Sequence, residues 1–166
     1  MIAIVAVDKN WGIGKNNDLL FSIPEDMAFF RKTTMNKVVV MGSRTLKSFP
    51  NSKPLKNRIN VILSKTLEKR DDCIVVQSID ELKQVLSAYN EDDVFLIGGA
   101  MMYNAFMQNC SKAYVTKVDA DGQADTFINN LDEIDGWEQV SVSEPIQSNG
   151  YTIRFTQYNN FKVKNL

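Results

Sequence analysis

VFLIGGAMMY, Val94 to Tyr103, runs four apolar residues into two glycines and then into a helix-like stretch. That order reads as a buried strand, a turn and the first turn of a helix, the connection from which open α/β sheets are built. Gly98 and Gly99 suit the turn because backbone without a Cβ lets a diphosphate approach, while the helix behind it offers free N–H groups. Two glycines also make a tight strand-to-helix packing turn, and G-x-G-x-x-G is absent. The stretch therefore points to the fold and leaves the ligand open.

Outward from it, the same apolar, β-branched runs recur at IAIVAV (Ile2–Val7), VVVMG (Val38–Gly42), INVILS (Ile59–Ser64), CIVVQS (Cys73–Ser78) and AYVTKV (Ala113–Val118). Continuous runs of this length imply strands covered on both faces, as in a mostly parallel sheet. Helical segments are expected from Ser22, near Thr45, from Ser78 as a cap, and over AMMYNAFMQN after the glycines. Residues 137–159 alternate on both sides of Asn149-Gly150 and read as an antiparallel hairpin. The expected fold is α/β: one domain with a mixed, mostly parallel central β-sheet flanked by helices and closed by that C-terminal hairpin.

Composition narrows the function. The 166 residues are 44% hydrophobic and 23% charged with a net charge of −1, so nothing favours nucleic acid or a membrane surface. Small molecules are the expected partners, of a monomer in the cytoplasm, since MIAIVAVDKN reads as a first strand and not as a signal peptide. Cys73 and Cys110 form no C-x-x-C pair and read as apolar fillers. The chain has no histidine, which removes histidine-activated nucleophiles and histidine metal sites. Proton chemistry falls to a carboxylate, tyrosine, lysine or water.

The candidate carboxylate lies in LLFSIPEDMAFFRKTT, Leu19 to Thr34. Ser22 and Glu25 are spaced for a reciprocal capping box and Pro24 suits a first turn. Ile23, Met27, Phe30 and Thr34 then share one stripe, with Asp26 about 60° from its centre and so at the border of the buried face. Taken alone, Asp26 reads first as an acid favoured by the helix N-terminus. A ligand site at the same place would decide otherwise.

Ligands in open α/β sheets sit beyond the carboxyl ends of strands. Three such ends suit phosphate: Gly98-Gly99; Gly42-Ser43-Arg44-Thr45, with two hydroxyls and a guanidinium; and Ser64-Lys65. Thr45 could serve only as a cap, and Arg44 and Lys65 only as solvated charges. Taken together, the three suit a ligand with a diphosphate and a further phosphate, such as NADPH. The segment Asp8 to Asp18, with two glycines and Asn16-Asn17, sits where a lid over that ligand belongs, or where Trp11 anchors a surface loop.

In their order along the chain, IVAVDKNWGIGKNNDLLF, IPEDMAFFRKTT, VVVMGSRTLKSF, PLKNRINVILS, VFLIGGAMMY, AYVTKVDADGQADTF and the hairpin resemble dihydrofolate reductase. The resemblance implies reduction of 7,8-dihydrofolate to tetrahydrofolate by hydride from NADPH, supplying one-carbon and thymidylate metabolism. It also implies that Asp26 binds the pterin and tunes its protonation through water, with Thr116 supporting it.

Val5, Ala6, Met27, Phe30, Phe49, Leu55 and Ile97 match walls of the substrate pocket, and Arg58 matches the clasp on the substrate α-carboxylate. On the cofactor side Ala6, Ile13, Gly14, Leu19, Gly42, Ser43, Arg44, Thr45, Leu63, Ser64, Lys65, Ile97, Gly98, Gly99, Ala100, Met101, Tyr103 and Thr126 are implied. No metal is.

Two departures stand out. Leu20-Phe21 replaces the family's Pro-Trp, so Phe21, at a catalytic position, lacks the indole N–H that helps hold a water. The guanidinium of Arg44 is displaced by one position from the family's glycine-arginine turn. A related pyrimidine reductase of riboflavin synthesis, which Asp26 and Arg58 argue against, and a non-catalytic nucleotide-binding module are the alternatives.

Overall fold

The computed structural model describes residues 1–166. In chain order the elements are β1 (Ile2–Val7), β2 (Gly12–Lys15), β3 (Asp18–Leu19), α1 (Pro24–Thr34), β4 (Val38–Gly42), α2 (Ser43–Ser48), β5 (Ile59–Leu63), β6 (Ile74–Val76), α3 (Ile79–Leu86), β7 (Val94–Gly98), α4 (Ala100–Phe106), β8 (Lys112–Val118), β9 (Thr126–Phe127), β10 (Trp137–Val142), β11 (Ile146–Ser148) and β12 (Tyr151–Asn160). The main sheet runs β10-β12-β8-β1-β7-β4-β5-β6, with β11 attached to β12. Strands β8 to β6 in that order are parallel, while β12 runs antiparallel to β8, β10 and β11. The mixed sheet and the terminal hairpin match the sequence expectation.

The apolar runs form central strands because successive side chains can be buried on opposite faces. On β1 and β4, Ala3, Val5, Val7, Val38 and Val40 enter one cluster with Tyr103 and Phe106. Their neighbours Ile2, Ile4, Val39 and Met41 enter another with Ile62 and Phe95. Phe29, Phe30, Phe49, Leu55 and Ile97 pack against this second cluster, which places α1 over that face.

One local expectation is corrected. The capping box does not form at Ser22: Ile23 is the N-cap of α1 and Pro24 its first residue, with no side-chain cap. The hairpin has taken one group the box needed, the Glu25 carboxylate, and holds Ser22 by its carbonyl. Asn149 Nδ2 donates to the Ser22 carbonyl at 2.7 Å, and the Ser148 hydroxyl bonds the Glu25 carboxylate. A variant of the box appears at α3, where Ser78 Oγ accepts from Glu81 N at 3.1 Å and Glu81 Oε2 accepts from Gln77 N, one residue before the cap, at 2.9 Å. Ser78→Ala removes an acceptor from a free helix end and is expected to cost about 1 kcal/mol in a denaturant titration, with ligand binding unchanged.

The segment Asp8 to Asp18, expected as a lid or a surface loop, contributes two strands to a small antiparallel sheet, β3-β2-β9, which ties Gly14 to Thr126 and Gly12 to Phe127. Strands this short give a weak sequence signal, and their partner lies more than a hundred residues away.

Candidate active site

The main sheet opens at its centre. Strand β1 pairs with β8 over its whole length, from Ile2–Lys112 to Val7–Lys117, but with β7 only at Ile2–Phe95 and Ala3–Leu96. Past Ala3 the two strands part. On the other side of β7, Val40 pairs with Leu96 and Met41 with Gly98, so Ile97 is bulged out of the ladder. The carboxyl ends of β1 and β7 thus bound a crevice, the place where open α/β sheets bind ligands. Tyr103, fully buried on α4, donates its hydroxyl to the freed Ile4 carbonyl at 2.6 Å, and burial pushes its ionisation far above the ordinary tyrosine value.

One wall of the crevice is α1. Asp26 stands in its first turn, and Thr116 of β8, 3% exposed, donates to Asp26 Oδ1 at 2.6 Å. Burial raises the Asp26 pKa above its ordinary 3.8, and the Thr116 hydrogen bond offsets part of that rise. Eight residues further along α1, about 12 Å at the helical rise, Thr34 is fully buried. Its hydroxyl donates to the Phe30 carbonyl at 2.8 Å and faces Arg58 Nη1 at 3.4 Å. Arg58 Nε donates to the Lys56 carbonyl at 2.8 Å; burial, then the Arg31 guanidinium, lowers its pKa below the ordinary arginine value. The structure thus sets a carboxylate at one end of α1 and a forked cation at the other. Between them lies the apolar ground of Phe30, Phe49, Leu55 and Ile97.

Of the expected stripe, Ile23 and Thr34 are buried and Phe30 half-buried, but Met27 is 60% exposed. Helical phase alone does not distinguish a cleft from a core. The Val5 side chain is buried in the cluster on the Tyr103 face, opposite Ala6. Only its backbone can border the crevice. Phe21 is drawn into a third cluster with Ile23, Val118 and Ile153, its ring edge-on to Tyr151 at 4.8 Å. It offers no hydrogen-bond donor.

The two glycine turns lie side by side. A Cβ on Gly98 would sit 3.3 Å from Thr45 Oγ1, one on Gly99 3.5 Å from the same oxygen, and one on Gly42 3.3 Å from Met102 Cγ. Gly98 has φ +132°, a region for glycine. Arg44 and Lys65 are exposed and take part in none of the ion pairs, leaving two free cations on this side, with Ser43 and Ala100 half-buried at the starts of their helices. Met101 and Leu19 stand out at 82% and 78% exposure.

Other residues of the cofactor side have structural duties. Ser64 Oγ accepts from Leu67 N at 3.1 Å and shapes its own loop. Leu63 and Ile13 pack against the main core. Thr126 donates to Asp125 Oδ1 at 2.8 Å, and Asp125 Oδ2 accepts from Asn16 N at 2.9 Å. Sequence reading missed Asp8, a carboxylate 2% exposed in the loop after β1. Its only signal was an acid directly following a buried strand and preceding a glycine.

A crevice with one hydrogen-bonded carboxylate, flanked by paired glycine turns and free cations, belongs to a small-molecule oxidoreductase, and comparison with known proteins supports that class. The family model for dihydrofolate reductase matches residues 1–160. The chain belongs to the dihydrofolate reductase family. It is 34% identical over 163 residues to the Enterococcus faecium dihydrofolate reductase, covering 95% of each chain. To the Bacillus subtilis enzyme it is 31% identical over 158 residues, covering 93% of this chain and 91% of that one. The solved structure of the Enterococcus faecalis dihydrofolate reductase complexed with NADP(H) and RAB-propyl superimposes with a TM-score of 0.84 at 26% identity, over 96% of this chain and 95% of that chain.

Proposed function

We infer that the protein reduces 7,8-dihydrofolate to 5,6,7,8-tetrahydrofolate with NADPH, and that Asp26 is the group on which turnover depends. The observation that carries this is the Asp26–Thr116 pair, a desolvated carboxylate held in the crevice by a buried hydroxyl. Asp26 has an oxygen left for the pterin amino and ring N–H groups, so it orients the ring through two hydrogen bonds. Its negative charge also raises the basicity of N5, which receives its proton from water. Ala6, Phe30, Phe49, Leu55 and Ile97 keep the ring system dry, with Met27 folding over it from the exposed side.

The residues fit the cofactor. Side chains would fill the space at Gly42, Gly98 and Gly99, where the backbone must come close to a diphosphate, and Arg44 and Lys65 supply charge for a further phosphate. NADPH, when bound, supplies the hydride for C6 of the pterin. Ile13, Gly14 and Leu19 cover the nicotinamide side, and the remaining cofactor-side residues act through backbone. On the same reading the protein works as a monomer in the cytoplasm on two small molecules. Its near-neutral net charge gives no attraction to nucleic acid, and no helix is long and apolar enough to cross a membrane.

Loss of NADPH absorbance that requires dihydrofolate tests the reading; binding of both without oxidation would overturn it. Arg58 gives a second test. In Arg58→Leu the dihydrofolate KM is expected to rise about a hundredfold with kcat within about threefold, because a bidentate carboxylate contact made equally in ground and transition states is removed. A pterin substrate lacking the glutamate should show no such difference between variant and wild type.

A further inference from the structure

Asp8 is a buried carboxylate for which the reaction has no direct use. No cation pairs with it; backbone amides surround it. Oδ1 accepts from Asn10 N and Gly12 N, both at 2.8 Å, so residues 8–12 wind around the carboxylate, and Trp11 N donates to the Asp8 carbonyl at 3.1 Å. Oδ2 reaches a different part of the chain and accepts from Gly122 N at 3.1 Å. The contact is close from both sides. A Cβ on Gly12 would lie 2.4 Å from Ala124 Cβ and 3.0 Å from each Asp8 oxygen, and one on Gly122 would lie 3.0 Å from Leu20 and Phe21. One carboxylate therefore closes the turn leading into β2 and fastens it to the segment leading into β9. The same turn is braced by Lys9 N to the Ala120 carbonyl at 3.1 Å.

We propose that Asp8 is a positioning residue for cofactor binding, holding the arm that carries Ile13 and Gly14 in its ligand-ready place. This rests on the reading that this arm covers the nicotinamide. Asp8 touches neither reactant. It acts by preorganisation: with the arm fastened beforehand, NADPH binding does not bear the cost of ordering it. The charge makes the fastening strong, since amides donating to a carboxylate form charge-assisted hydrogen bonds, here shielded from water.

Two variants cut the long-range link by different chemistry. In Asp8→Asn the amide oxygen still accepts from Asn10 and Gly12, while the NH₂ group faces the Gly122 N–H, donor against donor. In Asp8→Ser the shorter hydroxyl keeps a local acceptor and loses reach to Gly122. Fluorescence titration should show the dissociation constant for NADPH raised about tenfold in both, with that for dihydrofolate within about twofold of wild type. Equal weakening of both ligands, or a lowered melting temperature with unchanged NADPH affinity, would reduce Asp8 to a structural role and overturn the proposal. Failure of the wild type to bind NADPH at all would instead overturn the reading of the arm.

Discussion

Asp26→Asn is expected to slow hydride transfer at neutral pH by about two to four orders of magnitude, the range that a positioned proton-handling group contributes. The NADPH dissociation constant should stay within about threefold. Asparagine keeps the shape and can still accept from Thr116, so the loss isolates the charge and the second acceptor. Equal loss of NADPH binding in a titration would mean that Asp26 supports the fold instead.

The same variant should be more stable than wild type at neutral pH. Burial raises the Asp26 pKa in the folded protein above the 3.8 of the unfolded chain. Between those values the folded state holds a proton that the unfolded state has released, so wild-type stability falls as pH rises through the window. Below about 3.8 both states are protonated and the penalty vanishes. Melting temperatures of the two proteins, apart at neutral pH, should therefore converge in acid. A carboxylate kept at a cost in stability is what a site selected for chemistry looks like.

Gly98→Ala is the second large effect. With φ at +132°, an alanine there is strained whatever the space, at a cost of about 1–3 kcal/mol. Its Cβ also meets Thr45 Oγ1 at 3.3 Å and the Tyr103 ring at 3.5 Å. Relief requires the β7–α4 turn to move off α2, spoiling both proposed diphosphate faces at once. NADPH affinity should drop by at least about a hundredfold, beyond the loss of stability seen in denaturant. Near-normal affinity would show that the turn is a packing device alone.

Much of this was readable from residues because their reasons are local. Apolar runs ending in glycine, serine or arginine marked β4, β5 and β7 and the places where they stop, and Asn149-Gly150 marked the hairpin. Ser78 and Glu81 capped a helix as spaced. Ser22 and Glu25 did not, although the pattern is the same, because Ser148 reaches in from the far end of the chain and takes the Glu25 carboxylate, while Asn149 holds the Ser22 carbonyl. Periodicity put Met27 on one stripe with Ile23 and Thr34, yet it is 60% exposed where they are buried, a difference helical phase does not carry. It also left Val5 and Ala6 undivided, although a strand sends neighbours to opposite faces. Asp8 was missed because its meaning lies in Gly122, more than a hundred residues away, and a lone acid in a loop carries no long-range signal.

Helix α1 has a consequence for what the protein accepts. Asp26 and the Thr34–Arg58 contact stand about 12 Å apart on one rigid rod, so the helix works as a calliper. On the proposed reading, a molecule with a ring at one end and a carboxylate at the other closes on both jaws, and once the first is seated the second binds at high effective concentration. A ring alone or a carboxylate alone meets a single jaw and loses that gain. A molecule much longer or shorter than that span reaches one jaw and misses the other.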